Sequence, residues 1–366
     1  MGMLQNQTHI EENQKHLDQL QLVVDPLLIW YRANKRDLPW RHSMNAYHVW
    51  ISEIMLQQTR VEAVKPYYIR FLSELPSIQD LAEVEEDRLL KLWQGLGYYN
   101  RARNLQKAAQ LIVQEYQGQF PRRYEEILSL PGIGSYTAGA ISSIAFQISK
   151  PAVDGNVLRV LSRYLAYNDD ILKNRVRSYF ERLVEHVIPQ GEASDFNQSL
   201  IELGALVCIP NGEPNCSYCP LSLLCRANRE GLQQLLPIRS KSKPRRLESH
   251  TILVIRDHSS IVLHKRPKKG LLAGLYELPN RIGHLTEEEV HNYCNKIGVN
   301  INSIKTLPAS THIFSHIEWN MMGYEIWVQE LAQVKSPYFV VKREMLEEVY
   351  SIPTAFATYV KAYLDK

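Results

Sequence analysis

Long hydrophobic runs are scarce in this 366-residue chain, and so are glycine, proline and cysteine. The longest uncharged stretch, residues 127–149, has the length of a membrane span, but Pro131, Gly132 and Gly134 break it near its start and Ser and Thr punctuate the rest. It reads as a turn followed by a buried helix. The opening residues lack the apolar core of a secretory signal, and Asn6 stands where a myristoylation signal requires Ser or Thr. A soluble cytoplasmic protein is therefore the expectation. With 17 Gly and 18 Pro, fibrous and low-complexity classes are excluded. Charge of one sign is also missing: 42 Lys and Arg oppose 39 Asp and Glu, a net +3 that permits a nucleic-acid partner without requiring one. Five cysteines, an odd number with four of them between Cys208 and Cys225, do not suit a secreted disulfide framework.

What is present divides the chain. Residues 1–16 are polar and expected to be flexible. From Leu17 to Cys225, apolar residues recur at spacings of three and four, as at Ile141, Ile144, Ala145 and Ile148, and Gly or Pro breaks separate the predicted helices. Residues 226–248 read as a basic linker: Arg226, Arg229, Arg239, Lys241, Lys243, Arg245 and Arg246 face a single acid, Glu230, before Glu248. Residues 249–366 are mixed. Thr251–Ile255 and Ile261–His264 flank Asp257–Ser260, a hairpin signal; Tyr338–Val341 predicts a strand, and 344–350 and 354–364 predict helices. The fold class is a mostly α region followed by a separate α+β domain.

Three motifs carry chemistry. Cys208, Cys216, Cys219 and Cys225 follow C-x7-C-x2-C-x5-C, a compact set of four thiols that suits either tetrahedral zinc or an iron–sulfur cluster. Leu130-Pro-Gly-Ile-Gly-Ser135 joins two helical stretches. Gly132 and Gly134 permit tight turning, and the next helix offers free N–H groups to a DNA phosphate; a plain αα-hairpin turn is the alternative. Val153-Asp-Gly-Asn-Val157 precedes another helix, so Asp154 is an N-cap, an active carboxylate, or both.

With Arg36-Asp-Leu-Pro-Trp-Arg41, Ser52-Glu-Ile-Met-Leu-Gln-Gln-Thr59 and Gly95-Leu-Gly-Tyr-Tyr99, these motifs resemble the helix–hairpin–helix DNA glycosylase superfamily, and most closely its MutY-type adenine DNA glycosylases. The resemblance covers residues 17–225 in order. It implies two helical lobes, a six-helix barrel over 45–150 and a second lobe from 17–44 and 151–225, and a [4Fe–4S] cluster on the four cysteines. One departure is a seven-residue gap between the first two cysteines where the family usually has six.

The implied reaction is cleavage of an N-glycosidic bond. Glu53 matches the general acid, and its neighbours Ile51, Ile54, Met55 and Leu56 suit a raised pKa. Asp154 matches the carboxylate that stabilises an oxocarbenium-like sugar, with Asn156 orienting water or sugar. Tyr136 stands where endonuclease III-type relatives carry a Schiff-base Lys, and a phenol cannot form an imine, so base removal without strand cleavage is expected. Gln58, Thr59 and Tyr98 match DNA-contacting positions, Gln58 and Tyr98 as wedges beside the extruded base. Arg36, Arg41 and Gln198 match the adenine pocket. Core packing is the alternative for Tyr98.

Residues 249–366 resemble a Nudix-type domain through Arg266–Pro279, but Glu287, Glu288 and Glu289 do not form its metal-binding run and read as the first turn of a helix. In the MutY type this domain reads 8-oxoguanine. The matching segment is His312–His316, where Phe314 stacks and Ser315 and His316 hydrogen-bond; a packed hairpin turn is the alternative. The resemblance thus implies a monomeric enzyme on duplex DNA, nucleoid-associated if bacterial, that removes adenine opposite 8-oxoguanine and guanine. A pyrimidine-lesion lyase and a non-catalytic lesion-binding protein are the competing readings.

Overall fold

Among the described residues, helical periodicity in the first 230 positions becomes thirteen α-helices: α1 (Gly2–Gln21), α2 (Val24–Asn34), α3 (Ala46–Leu56), α4 (Val61–Glu74), α5 (Ile78–Glu83), α6 (Glu86–Leu92), α7 (Asn100–Tyr116), α8 (Tyr124–Ser129), α9 (Ser135–Phe146), α10 (Gly155–Tyr164), α11 (Asn174–Val187), α12 (Ala193–Leu206) and α13 (Arg226–Glu230). The computed structural model describes residues 2–240, 243–331 and 333–364. It forms two compact units, one of residues 1–83 and 104–241, the other of 84–103 and 242–366. Among the described residues no helix is long and apolar enough to cross a membrane.

In the first unit, α3 and α9 are buried on nearly every side, Ala46 through Met55 and Thr137 through Ser143. A second core joins α1 and α2 to α10, α11 and α12 through Leu20, Leu27, Leu161, Phe180 and Leu200. This core joins the N-terminal helices to residues beyond 150. Two glycines set how closely its helices approach. A Cβ on Gly139 of α9 would lie 1.9 Å from the Pro151 carbonyl oxygen, and one on Gly204 of α12 would lie 2.6 Å from Asn156 Cβ. Only glycine admits such contacts.

Three boundaries differ from those expected. The polar start is helical from Gly2, and the first unit's core reaches into it: Leu20 is buried, and His16 is buried with Nδ1 2.7 Å from the Tyr179 hydroxyl. The basic linker is shorter than 226–248. Leu236 packs beside Ala166 and Ala227, its carbonyl accepts from Arg163 Nε at 2.9 Å, and the strand that follows already begins at Arg246. Of the linker's cations, Arg239, Lys243 and Arg245 are exposed, and Lys241 lies outside the described residues. The expected barrel, 45–150, is not one contiguous unit, because 84–103 group with the C-terminal residues.

The second unit is built on a mixed sheet of β1 (Arg246–Arg256), β2 (Ser260–Lys265), β3 (Tyr276–Glu277), β4 (Asn280–Ile282), β5 (Ser303–Ile313), β6 (Ile317–Trp327) and β7 (Tyr338–Lys342), with α14 (Glu287–Lys296), α15 (Arg343–Glu348) and α16 (Ala357–Leu364). The strand order is β3-β2-β1-β6-β5, β1 lies parallel to β6, and β4 and β7 pair with β1 and β2. Alternation sorts the side chains. Ile252, Val254, Trp319 and Met321 face Phe356 and Tyr359, whereas Leu253, Ile255, Tyr324 and Ile326 face Val290, Tyr293 and Cys294. Both faces are covered, which explains the continuous apolar run at 252–255. The Asp257 carboxylate accepts from Ser259 N and Ser260 N and closes the expected hairpin. Glu287–Glu289 form the first turn of α14, where Thr286 and Glu289 make a capping box.

Replacing Gly204 by Ala drives a methyl group into Asn156. The expected cost is about 1–3 kcal/mol, read as a lower urea midpoint at unchanged slope; an unchanged midpoint would show that α12 yields there freely.

Candidate active site

Asn45 caps α3 by accepting from Tyr47 N at 2.8 Å, and the helix carries Glu53 into the protein interior, where it is 7% exposed. The Tyr136 hydroxyl, from the first turn of α9, donates to Glu53 Oε2 at 2.7 Å. Burial pushes the Glu53 pKa up to about 7; Asp154 adds to this, while the Tyr136 hydrogen bond and the Arg41 charge oppose it.

Asp154 does what the sequence left open and caps α10. Its Oδ1 accepts from Asn156 N and Val157 N, each at 2.8 Å, and its Oδ2 from Asn156 Nδ2 at 2.7 Å. Burial raises its pKa, against these three N–H donors and the Arg159 charge. All three donors favour the ionised form. The Asn156 amide is therefore engaged with protein at both ends, because its Oδ1 accepts from Arg159 Nη2 at 2.9 Å.

Glu53, Asp154, Tyr136 and Asn156 open onto one cavity of about 530 Å³, together with Arg36, Arg41, Gln58, Thr59 and Gln198. A volume of that order suits a small ligand or a single base. Sequence reasoning missed Glu202 in its wall, one helical turn beyond Gln198 on α12. It is 0% exposed and accepts from Arg36 N, Nε and Nη2 and from Arg41 Nη1 and Nη2, at 2.7–3.1 Å. Burial pushes its pKa up, but the two guanidinium groups outweigh that and hold it at about 2. Arg41 Nε also donates to Gln198 Oε1 at 3.0 Å. Arg177, likewise missed, lines the cavity and donates to the Val153 carbonyl at 2.7 Å, fixing the residue before Asp154. Only the i, i+4 spacing of Gln198 and Glu202 hinted at any of this.

In the first unit, Gly132 and Gly134 are not among the residues that line this cavity. Gly132 has φ +79°, and a Cβ there would lie 2.6 Å from Asn104 Cβ; nothing lies within 4 Å of a Cβ on Gly134, the N-cap of α9, so that surface is open to an incoming backbone. Gln58 and Tyr98 both adopt left-handed backbones, φ 57° and 48°, which non-glycine residues seldom do. In the second unit, Phe314, Ser315 and His316 form the tip between β5 and β6. The Phe314 ring packs edgewise on Trp319, with centroids 5.0 Å apart, while Ser315 and His316 are exposed. Tyr98 belongs to this unit, and its hydroxyl lies 3.0 Å from Ser315 Oγ.

Among the described residues no three His, Cys, Asp or Glu side chains gather closely enough to share one metal ion. The four cysteines nevertheless lie on one short loop, where Cys219 N donates to the Cys216 carbonyl at 3.2 Å and Cys225 N to the Leu221 carbonyl at 2.9 Å. Arg163 Nη1 donates to Cys208 Sγ at 3.3 Å, and Cys208, Cys219 and Cys225 pack on the second core. Four soft sulfur donors on one loop, with a guanidinium at one sulfur, are a donor set of the kind that suits an iron–sulfur cluster.

Comparison with known proteins places the chain in a family. A family model for the HhH-GPD superfamily of base excision DNA repair proteins matches residues 51–186, and a NUDIX domain model matches 251–362. The mouse adenine DNA glycosylase is 35% identical over 371 residues, covering 85% of this chain and 72% of the mouse protein. The chain belongs to the adenine DNA glycosylase family. The Buchnera aphidicola (strain Bp) adenine DNA glycosylase is 37% identical, over 80% of this chain and 82% of its own. A thermostable thymine-DNA glycosylase structure shares the helical fold with a TM-score of 0.54 at 30% identity, covering 58% of this chain and 98% of that one. The protein is thus a DNA glycosylase with a helical helix–hairpin–helix region and a Nudix-like domain.

Because the Glu53 proton is held with a pKa of about 7, kcat/KM for base excision should fall about tenfold per pH unit above that value. Tyr136→Phe removes a donor that favours the Glu53 anion, so the alkaline limb should move to higher pH. A limb that stays in place, or moves down, would detach Glu53 from the titration.

Proposed function

We propose that this enzyme removes adenine paired with 8-oxoguanine, or with guanine, from duplex DNA during base excision repair, acting as a monomer and leaving the strand intact. The observation that carries the reading is the meeting of Glu53 and Asp154 in one cavity with different donors, a single neutral hydroxyl at Glu53 and three N–H groups at Asp154, an arrangement that suits acid-assisted glycosidic cleavage. An intracellular site with access to the chromosome, cytoplasmic or nucleoid-associated, follows from that substrate.

Extrusion of the adenosine costs a few kcal/mol of stacking and pairing, which side chains inserted by Gln58 and Tyr98 offset, while Gly132, Gly134 and the start of α9 hold phosphate. Thr59 lies on the same rim. The base enters beside Arg36, Arg41 and Gln198. Tyr136 occupies Glu53 Oε2, which leaves Oε1 to carry the acid proton to the departing adenine. The Asp154 carboxylate then stabilises the sugar cation until water adds, with Asn156 holding that carboxylate in line. The Tyr136 phenol, already donating to Glu53, supplies no amine for a Schiff base, which supports base removal over the lyase reading. Phe314, Ser315 and His316 contact the 8-oxoguanine left in the stack. Cys208, Cys216, Cys219 and Cys225 would hold a [4Fe–4S] cluster, whose chemistry here is to cross-link four points of the loop.

On end-labelled duplex with adenine opposite 8-oxoguanine, strand breaks should appear only after alkali. Glu53→Gln should abolish base loss and keep binding; turnover at the normal rate in that variant would remove Glu53 from the acid role. Cys216→Ser should lose the visible absorption of an iron–sulfur protein and lower the melting temperature. Protein that is colourless and free of iron in the parent chain would exclude the cluster.

A further inference from the structure

The loop that gives the C-terminal unit its Nudix likeness, Arg266–Pro279, is already engaged by a distant part of the same unit. Residues 84–103 bring two groups to it. Lys265 Nζ lies 2.8 Å from both oxygens of Asp87, and the Tyr276 hydroxyl donates to Asp87 Oδ2 at 2.7 Å. On the other side, Arg103 Nε donates to Glu86 Oε1 at 2.6 Å and Arg103 Nη2 to the Ala273 carbonyl at 2.5 Å. Gly274 shows how tight this seat is. It has φ +67°, and a Cβ there would lie 2.8 Å from Arg103 Nη2. Between these two anchors, Lys91 Nζ and Gln94 Nε2 donate to the carbonyls of Tyr350 and Ile352 at 3.1 and 2.9 Å.

The held segment contains the Gly95–Tyr99 turn. Gly95 and Gly97 have positive φ, and so does Tyr98, which is about half exposed and has no glycine's freedom. A turn with so many left-handed residues keeps one shape only if both flanks are fixed. We propose that the Nudix-like unit positions the DNA-contacting Tyr98 through a clasp in which Asp87 and Arg103 dock on the Lys265–Tyr276 face, so that its loop serves the chain's own wedge turn. Asp87 and Arg103 are positioning residues and touch no reacting atom. The Tyr98–Ser315 contact at 3.0 Å shows the outcome of that alignment, with the turn lying against the β5–β6 tip. Individually, exposed ion pairs such as Lys265–Asp87 contribute little, so the clasp depends on its several anchors acting on one short segment.

The inference rests on the function proposed above for Tyr98, and its test separates the two. In the full-length protein, Arg103→Ala and Lys265→Glu attack opposite ends of the clasp, and Lys265→Arg retains its charge. Amide exchange over residues 95–103, measured without DNA, should quicken at least tenfold in the first two variants and stay at the parent rate in the third. Stopped-flow fluorescence of 2-aminopurine placed opposite 8-oxoguanine should show extrusion slowed about fivefold in the same two variants, with the alkaline limb of the excision profile unmoved. Parent-like exchange in Arg103→Ala and Lys265→Glu would overturn the clasp. So would quickened exchange with extrusion at the parent rate. If the parent protein itself released no adenine, the functional reading would fail, while the exchange data would still decide whether the clasp exists.

Discussion

Everything in the cavity depends on carboxylates that share one space and are kept from sharing one charge state. Three acids line it, and their donors rank them. Glu53 accepts one hydrogen bond, from a neutral hydroxyl, and desolvation wins, so its pKa rises to about 7. Asp154 accepts three N–H donors at a helix start; they oppose burial without cancelling it. Glu202 accepts five, four of them from guanidinium groups, and stays ionised down to about 2 although it is fully buried. Burial is common to all three, and the number and charge of donors decide the outcome. The same logic explains how Arg36 and Arg41 can line a cavity with an acid whose pKa is raised: Glu202 absorbs much of their field.

The helices exist to hold this gradient. Glycine at 139 and 204 lets α9 approach the 151 loop and α12 press on the start of α10, and the Asp154 cap sits between them. From that cap, Arg159 reaches the Asn156 side chain, the Gly204 carbonyl and the Cys208 carbonyl, all within 3 Å. Arg163, one turn on, reaches the Cys208 sulfur and the carbonyls of Ile209 and Leu236. Buried cations are costly unless acceptors satisfy them, and here the carbonyls of Gly204, Cys208, Ile209 and Leu236, the Cys208 sulfur and the Asn156 side chain do so.

Much of this was legible in the sequence because its signals are local. The Asp257–Ser260 turn, the Leu130–Ser135 link and the Asp154 cap each depend on a few consecutive residues, and each formed where the pattern placed it. The likeness of the chain to its family supplied Glu53 and Asp154, and the fold brings them together. What could not be read was non-local. Glu202 looks like any helical acid until Arg36 and Arg41, more than 160 residues earlier, close on it. Arg159 resembles a solvent-facing residue until Gly204 and Cys208 arrive. The polar start of α1 gave no reason to expect a buried His16, whose partner Tyr179 lies 163 positions away. The grouping of 84–103 with the last 125 residues is of the same kind, since no local pattern in α6 announces a partner sheet.

Backbone conformation was the other hidden quantity, and it bears on how the protein would meet DNA. Gln58 and Tyr98 were singled out for their side chains, yet both also occupy left-handed φ, a cost of order 1 kcal/mol or more that glycine would not incur. Each sits next to a position where the chain turns sharply, at the end of α3 and before α7, so glycine would serve the turn alone. A long polar or aromatic side chain kept at such a place is explained by what it reaches outside the turn. Tyr98 and Gln58 are both substantially exposed, so neither earns its conformation by filling a core. At Tyr98, strained backbone, exposed side chain and a flanking segment fixed by other contacts together describe a rigid projection.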